Sequence, residues 1–222
     1  MLEFDRPQDP DDARLRLAGA TRQIIAELAS STASSAEFER ARDLVEQAAA
    51  VLAERGHGRK YAGGEASLAE HHEAGTFLDY SPLVGPLNPL ATPVRVHMEH
   101  AVDGGDVVVG TAVFGDAYEG PPGCVHGGFI AASFDEVLGF AQSMSGQPGM
   151  TGRLEISYRA PTPLHREIRF EGRIDRIEGR KIFTSATLRH EDTLCAEAFG
   201  LFISMKPEVF QRLMRTRAQP AG

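Results

Sequence analysis

The stretch that most constrains the fold is HGGFIAASFDEVLGFAQSM, residues 126–144. It reads as one helix from about residue 127 to residue 144. Phe, Ile, Ala, Val, Leu and Gly occupy most of its circumference, and Glu136 and Gln142 are its clearly polar members beside Asp135. A helix apolar on nearly every side is expected to be buried on nearly every side. The segments around it are alternating or β-branched, as strands are. VRVHMEHAV (94–102) and DVVVGTAVF (106–114) come before it, parted by the turn signal DGGD. MTGRLEISYRA (150–160), EIRFEGRIDRI (167–177), KIFTSATLRHE (181–191) and LCAEAFGLFISM (194–205) come after it, with hairpin turns at EGR (178–180) and EDT (191–193). The order strand, strand, helix, four strands predicts a long antiparallel sheet curled around one central helix.

The fold class expected is therefore α+β, in the arrangement called the hotdog fold, over residues 81–206. Residues 1–80 read as a helical extension. An acidic, proline-containing tail (1–12) leads into a helix over about residues 12–28. Ser35 is the expected N-cap of a second helix carrying Phe38, Ala41, Leu44, Val45, Val51 and Leu52 at helical spacing. The glycines of RGHGRKYAGGE (55–65) end it. Four prolines in SPLVGPLNPLATP (81–93) exclude a helix or a central strand there and predict an extended strap across another surface. Residues 207–222 read as a short amphipathic helix (207–217) and a tail.

Composition narrows the function classes. A net charge of −8 disfavours a phosphate backbone as partner. Two cysteines, Cys124 and Cys195, make neither a disulfide framework nor a metal set. His97 and His100, three apart in a strand, point to opposite faces, so no metal is expected from them. No apolar run is long enough to span a bilayer, and the first residues lack a signal-peptide pattern. A cytoplasmic protein is expected.

The chemistry sits on the central helix. His126, Gly127 and Gly128 stand at its start, where backbone N–H groups lack internal partners and carry partial positive charge. Glycine lets a ligand approach that backbone, so this end suits a carbonyl oxygen gaining negative charge. By itself, HGG also serves simply as a tight turn into a helix. Asp135 lies two turns further on among apolar residues, where an ionised carboxylate needs a partner or a task. A buried arginine is one such partner, and catalysis is one such task. Gly128, Ala132, Asp135 and Gly139 share one face of small residues. Gly128 and Asp135 are about 10 Å apart along the axis at ~1.5 Å per residue. They meet on one carbonyl only if they come from two helices, which predicts a two-fold dimer with antiparallel neighbouring helices.

The segment HGGFIAASFD, with MTGRLEISYRAPTPL and IEGRKIFTSATL, resembles the hotdog thioesterase superfamily, and most of all its PaaI-like acyl-CoA thioesterase branch. The resemblance covers roughly residues 81–206. It implies hydrolysis of an acyl-CoA thioester to a carboxylic acid and CoA, with no metal or redox cofactor and CoA entering as part of the substrate. It implies Asp135 as nucleophile or general base, the Gly127–Gly128 backbone as oxyanion donor and His126 as the residue orienting that turn. Thr151 would hold the attacking water or Asp135. Ser157, Arg159, Arg180 and Lys181 would lie near CoA, although Arg180 and Lys181 also suit an ordinary solvated turn. A homodimer with shared sites, or a dimer of dimers, is implied. Some relatives place Asn or Gln six residues before the motif histidine, where this chain has Gly120. Two other functions fit the fold: a non-catalytic acyl-CoA-binding module, and an enoyl-CoA hydratase.

Overall fold

The computed structural model describes residues 12–54, 79–100, 105–147, 149–206 and 208–209. The acidic tail before residue 12, the glycine-rich stop after the second helix and nearly all of the C-terminal segment lie outside them. Six strands form one antiparallel sheet: β1 (Arg95–His100), β2 (Asp106–Val113), β3 (Gly149–Tyr158), β4 (Glu167–Glu178), β5 (Lys181–His190) and β6 (Thr193–Ser204). Their order across the sheet is β1-β2-β4-β5-β6-β3. The strand that follows the central helix in sequence is therefore the far edge. The hotdog arrangement expected from the sequence is present.

Helix α3 (Gly127–Ser143) lies against one face of this sheet. Ile130, Phe134, Val137, Leu138 and Ala141 are buried, the i, i+4, i+7, i+8, i+11 stripe of a helix on a surface. Phe134 meets Phe170 of β4 edge to face, with ring centroids 5.1 Å apart. Val137 sits so close to β4 that a Cβ on Gly172 would come within 2.9 Å of it, so only glycine there admits the helix.

Burial on nearly every side was expected of α3, and this is corrected. Gly128 is exposed, and Ala132, Asp135 and Gly139 are only half-buried. The sheet of one chain covers one stripe of the helix and leaves the small-residue face open.

The N-terminal part holds α1 (Ala13–Ser30) and α2 (Ser35–Ala53). Asp12 caps α1, accepting from the Arg14 and Leu15 amides. The cap of α2 is Ser34 rather than Ser35: its backbone N–H and its hydroxyl both donate to Glu37, at 2.8 and 2.7 Å. A glutamate three positions after the serine makes Ser34 the better cap.

The proline-rich strap is also corrected. It is not extended but a run of turns, with Gly85 N–H bonded to Ser81 O, Asn88 N–H to Gly85 O and Ala91 N–H to Asn88 O. Proline favours the first inner position of such turns, which accounts for Pro82 and Pro86. Arg22 of α1 donates to the Pro86 and Asn88 carbonyls at 3.1 and 2.9 Å, tying the helix to the strap. The strap in turn reaches α3: Ser81 Oγ donates to Glu136 Oε1 at 2.6 Å. Burial pushes the Glu136 carboxyl above the usual carboxylate range; the Ser81 hydrogen bond works against this and the neighbouring Asp135 with it. Replacing Ser81 with alanine strips a half-buried carboxylate of this partner. The expected cost is about 1–3 kcal/mol, read as a lower midpoint in denaturant unfolding, and an unmoved midpoint would mean the contact holds nothing.

Candidate active site

The start of α3 is built by three neighbours. His126 has extended backbone angles, φ −61° and ψ 131°, and its Nδ1 accepts the Gly128 N–H at 3.0 Å. In a neutral ring this bond places the proton on Nε2. The loop before it is held by the Gly123 N–H on Glu119 Oε1 at 2.6 Å and by the Val125 N–H on Thr162 O. The Tyr158 hydroxyl at the end of β3 donates to Gly127 O at 2.8 Å. Partial burial of the phenol raises it above its ordinary value, so it is a protonated donor at neutral pH.

One expectation shifts here. Gly128 was expected to offer an N–H to substrate, but that group is already bonded to His126. The Gly127 N–H has no acceptor among the described residues, and Gly127 lines an open cleft of about 440 Å³ with Ile130, Tyr158, Arg159 and Cys124. It is the donor left for a ligand oxygen. Gly120 also gains a reason. A Cβ there would lie 2.8 Å from the His126 Cα, so the loop admits no side chain at the position where some relatives carry an amide.

The carboxylate expected to act in catalysis lies two turns down the helix. Thr151 Oγ1 donates to Asp135 Oδ1 at 2.8 Å. Among the described residues Asp135 has no arginine or lysine partner, so no ion pair there accounts for it. Thr151 reaches it because β3 slips register against β6 between Thr151 and Arg153, with Gly152 as the extra residue. Leu154 and Ile156 pack toward the core. Plain alternation from them would turn Thr151 away from the helix. The bulge shifts the phase by one and aims it inward.

The implied CoA contacts do not gather in one chain. Arg159 lines the cleft beside Gly127 but is engaged by Glu197, with Nε 3.0 Å from Oε1. Ser157 pairs in register with Glu197 on the face of β3 opposite to Thr151 and Tyr158, away from the helix. Arg180 and Lys181 sit at the β4–β5 turn, with Arg180 Nε donating to Ser204 O at 2.9 Å. Lys181 is aligned with Ile203, which faces Met150 at the start of β3. They thus lie near the Asp135 end, about seven strand residues, or roughly 23 Å, from Ser157 and Arg159. Gly127 and Asp135 are likewise about 12 Å apart along the helix at ~1.5 Å per residue. One chain thus holds two separate clusters: Gly127, His126, Tyr158 and Arg159 at one end, and Asp135, Thr151, Arg180 and Lys181 at the other.

Two residues escaped the sequence reading. Tyr158 gave only the signal of an aromatic in a strand. Ser81 gave none, because its partner Glu136 is distant in sequence. Of the histidines weighed for metal binding, His97 pairs with Glu99 and His100 with Asp106. No cluster fit for a metal ion occurs among the described residues.

Comparison with known proteins bears on this geometry. The sequence profile of the thioesterase superfamily matches residues 122–197, which span the helix start, Asp135, Thr151 and Tyr158. The acyl-coenzyme A thioesterase THEM4 of Bos taurus is 41% identical over 96 residues, covering 42% of this chain and 39% of that protein. THEM5 of Homo sapiens, also an acyl-coenzyme A thioesterase, is 31% identical over 96 residues with the same coverage, 42% and 39%. The chain spans about two fifths of the length of these curated relatives. A crystal structure of a thioesterase superfamily protein is 30% identical, with a TM-score of 0.69, and the match covers 88% of this chain and 97% of that one. Likeness over nearly the whole of that protein reaches past the core domain into the N-terminal part, and the chain belongs to the thioesterase superfamily.

Proposed function

We propose that this protein is an acyl-CoA thioesterase of the PaaI-like branch, working as a homodimer whose sites are shared between chains. The observation that carries the reading is the pairing of a free Gly127 N–H with an Asp135 held by Thr151, both on the helix side of one edge strand. The acyl-coenzyme A thioesterase names of THEM4 and THEM5 support the substrate class.

The dimer follows from the edge. β3 ends the sheet, so one side of a ten-residue strand has no neighbour among the described residues. Long open edges invite pairing. Antiparallel pairing of two β3 strands sets the Thr151 end of one against the Tyr158 end of the other. It also brings the open, small-residue faces of the two α3 helices together, so the Gly127 end of one meets the Asp135 end of its partner.

In such a site the thioester carbonyl oxygen accepts the Gly127 N–H, whose dipole matches the charge growing on that oxygen. Asp135 of the other chain takes a proton from water as it attacks, or attacks itself and is freed by water. The C–S bond breaks, the thiolate leaves as CoA and is protonated, and the carboxylate remains. The reaction needs no redox cofactor or metal. Arg180 and Lys181 are cations suited to CoA phosphates, as is Arg159 where a phosphate competes with Glu197 for it. A cytoplasmic setting agrees with two unpaired cysteines.

The test is a panel of acyl-CoAs of increasing chain length, with aromatic acyl groups included, and free thiol as the readout. Thiol release on at least one member is expected. Binding without release would replace the enzyme with a binding module, and hydration of crotonyl-CoA without thiol would replace it with a hydratase.

A further inference from the structure

Gly127 and Gly128 are consecutive glycines, the residue type with the greatest backbone freedom. A donor hung on such a pair would wander unless something else fixed it. The peptide group joining them is gripped at both ends. Its carbonyl, Gly127 O, accepts from the Tyr158 hydroxyl at 2.8 Å. Its N–H, that of Gly128, donates to His126 Nδ1 at 3.0 Å. A peptide group is planar and rigid, so two bonds on opposite sides hold its plane. The open N–H of Gly127 sits on the preceding peptide, whose carbonyl, His126 O, accepts the Phe129 N–H at 3.0 Å. The two planes share the Gly127 Cα, so holding the Gly127–Gly128 plane anchors the peptide that carries the open N–H. The tyrosine ring also bounds the space directly over Gly127, where a Cβ would touch the phenol oxygen at 3.4 Å.

We infer that Tyr158 is a positioning residue: with His126 it clamps the Gly127–Gly128 peptide so that the Gly127 N–H stays aimed at the substrate carbonyl. Two features give it this task. The side chain comes from β3, so the edge strand and the helix start are fixed to each other. Gly120 admits no side chain, so position 120 supplies no side-chain amide to share the polarisation. The polarising effect then leans on how well the Gly127 N–H is aimed, and preorganisation of such a donor is where the rate is made.

This inference rests on the thioesterase reading, and its test separates the two. Tyr158→Phe removes the hydroxyl and keeps the ring; because Tyr158 is exposed, the fold should survive. On the best acyl-CoA of the panel, kcat is expected to fall about 10-fold with KM changed less than about 2-fold, the sign of an interaction made in the transition state. A purely structural tyrosine would lower the thermal midpoint and leave kcat alone. The second readout needs no turnover. In the Tyr158→Phe protein the Gly127 and Gly128 amide signals should shift in the ¹H–¹⁵N spectrum, and the Gly128 amide should exchange faster. Unchanged kcat in an active enzyme overturns the inference. If the parent protein releases no thiol from any acyl-CoA, the functional reading falls by itself. The clamp is then judged on the amides, and unmoved glycine signals overturn it.

Discussion

Replacing Asp135 with asparagine is expected to lower kcat by about 10³-fold while leaving the fold intact. The asparagine keeps the shape and an oxygen to accept the Thr151 hydroxyl, so the contact between α3 and β3 survives. What it loses is the charge that takes a proton or attacks carbon. Because the binding groups for CoA are elsewhere, KM should change little, and a thermal midpoint close to the parent's would show that the fold is intact. Steady-state kinetics on the best acyl-CoA of the panel decide it. An Asp135→Asn protein that keeps most of its activity would move the chemistry to another residue.

The second large effect is expected from Gly127→Pro. Proline removes one atom group, the N–H, and the first position of a helix is where proline is best tolerated. His126 already has φ −61° and ψ 131°, the extended shape that a residue before proline prefers. The space above Gly127 accepts a side chain at ordinary contact distance, 3.4–3.5 Å from Tyr158. Loss of an oxyanion donor costs about 10²–10³-fold in kcat. Gly127→Ala keeps the N–H and should lose far less, so the difference between the two variants isolates the donor. The same size of loss in both would point to crowding by Tyr158 instead.

How much of this was legible in the sequence depends on the range of the forces involved. The strands and the central helix could be read because alternation, β-branching and apolar length are local signals that burial enforces. Asp135 stood out for the same reason, as an acid in an apolar run. The two clusters were harder. Thr151 reaches Asp135 only through the bulge at Gly152, and a single glycine in a strand does not announce a change of phase. The engagement of the Gly128 N–H depends on the rotamer of His126, which no spacing encodes. Tyr158 and Ser81 act through partners 31 and 55 positions away in the chain. The strap was misread because proline excludes helix and central strand without choosing between extended chain and turns.

The open face of α3 came from the opposite error. An apolar helix in a single chain was assumed to be covered by that chain's own sheet, yet the small residues beside Asp135 are left half-buried. In the dimer proposed above, a second copy of the chain would cover both that half-buried stripe and the edge of β3, which has no neighbour among the described residues.

The most direct measurement is therefore complementation. Asp135→Asn and Gly127→Pro chains, each inactive alone, are co-expressed with different tags and the hybrid dimer is purified through both. If the sites are shared, one site of the hybrid pairs an intact Gly127 N–H with an intact Asp135 from the other chain, and about half the parent activity per dimer returns. If each chain carried its own complete site, both sites of the hybrid would be damaged. Activity no higher than in the single variants would then contradict the account.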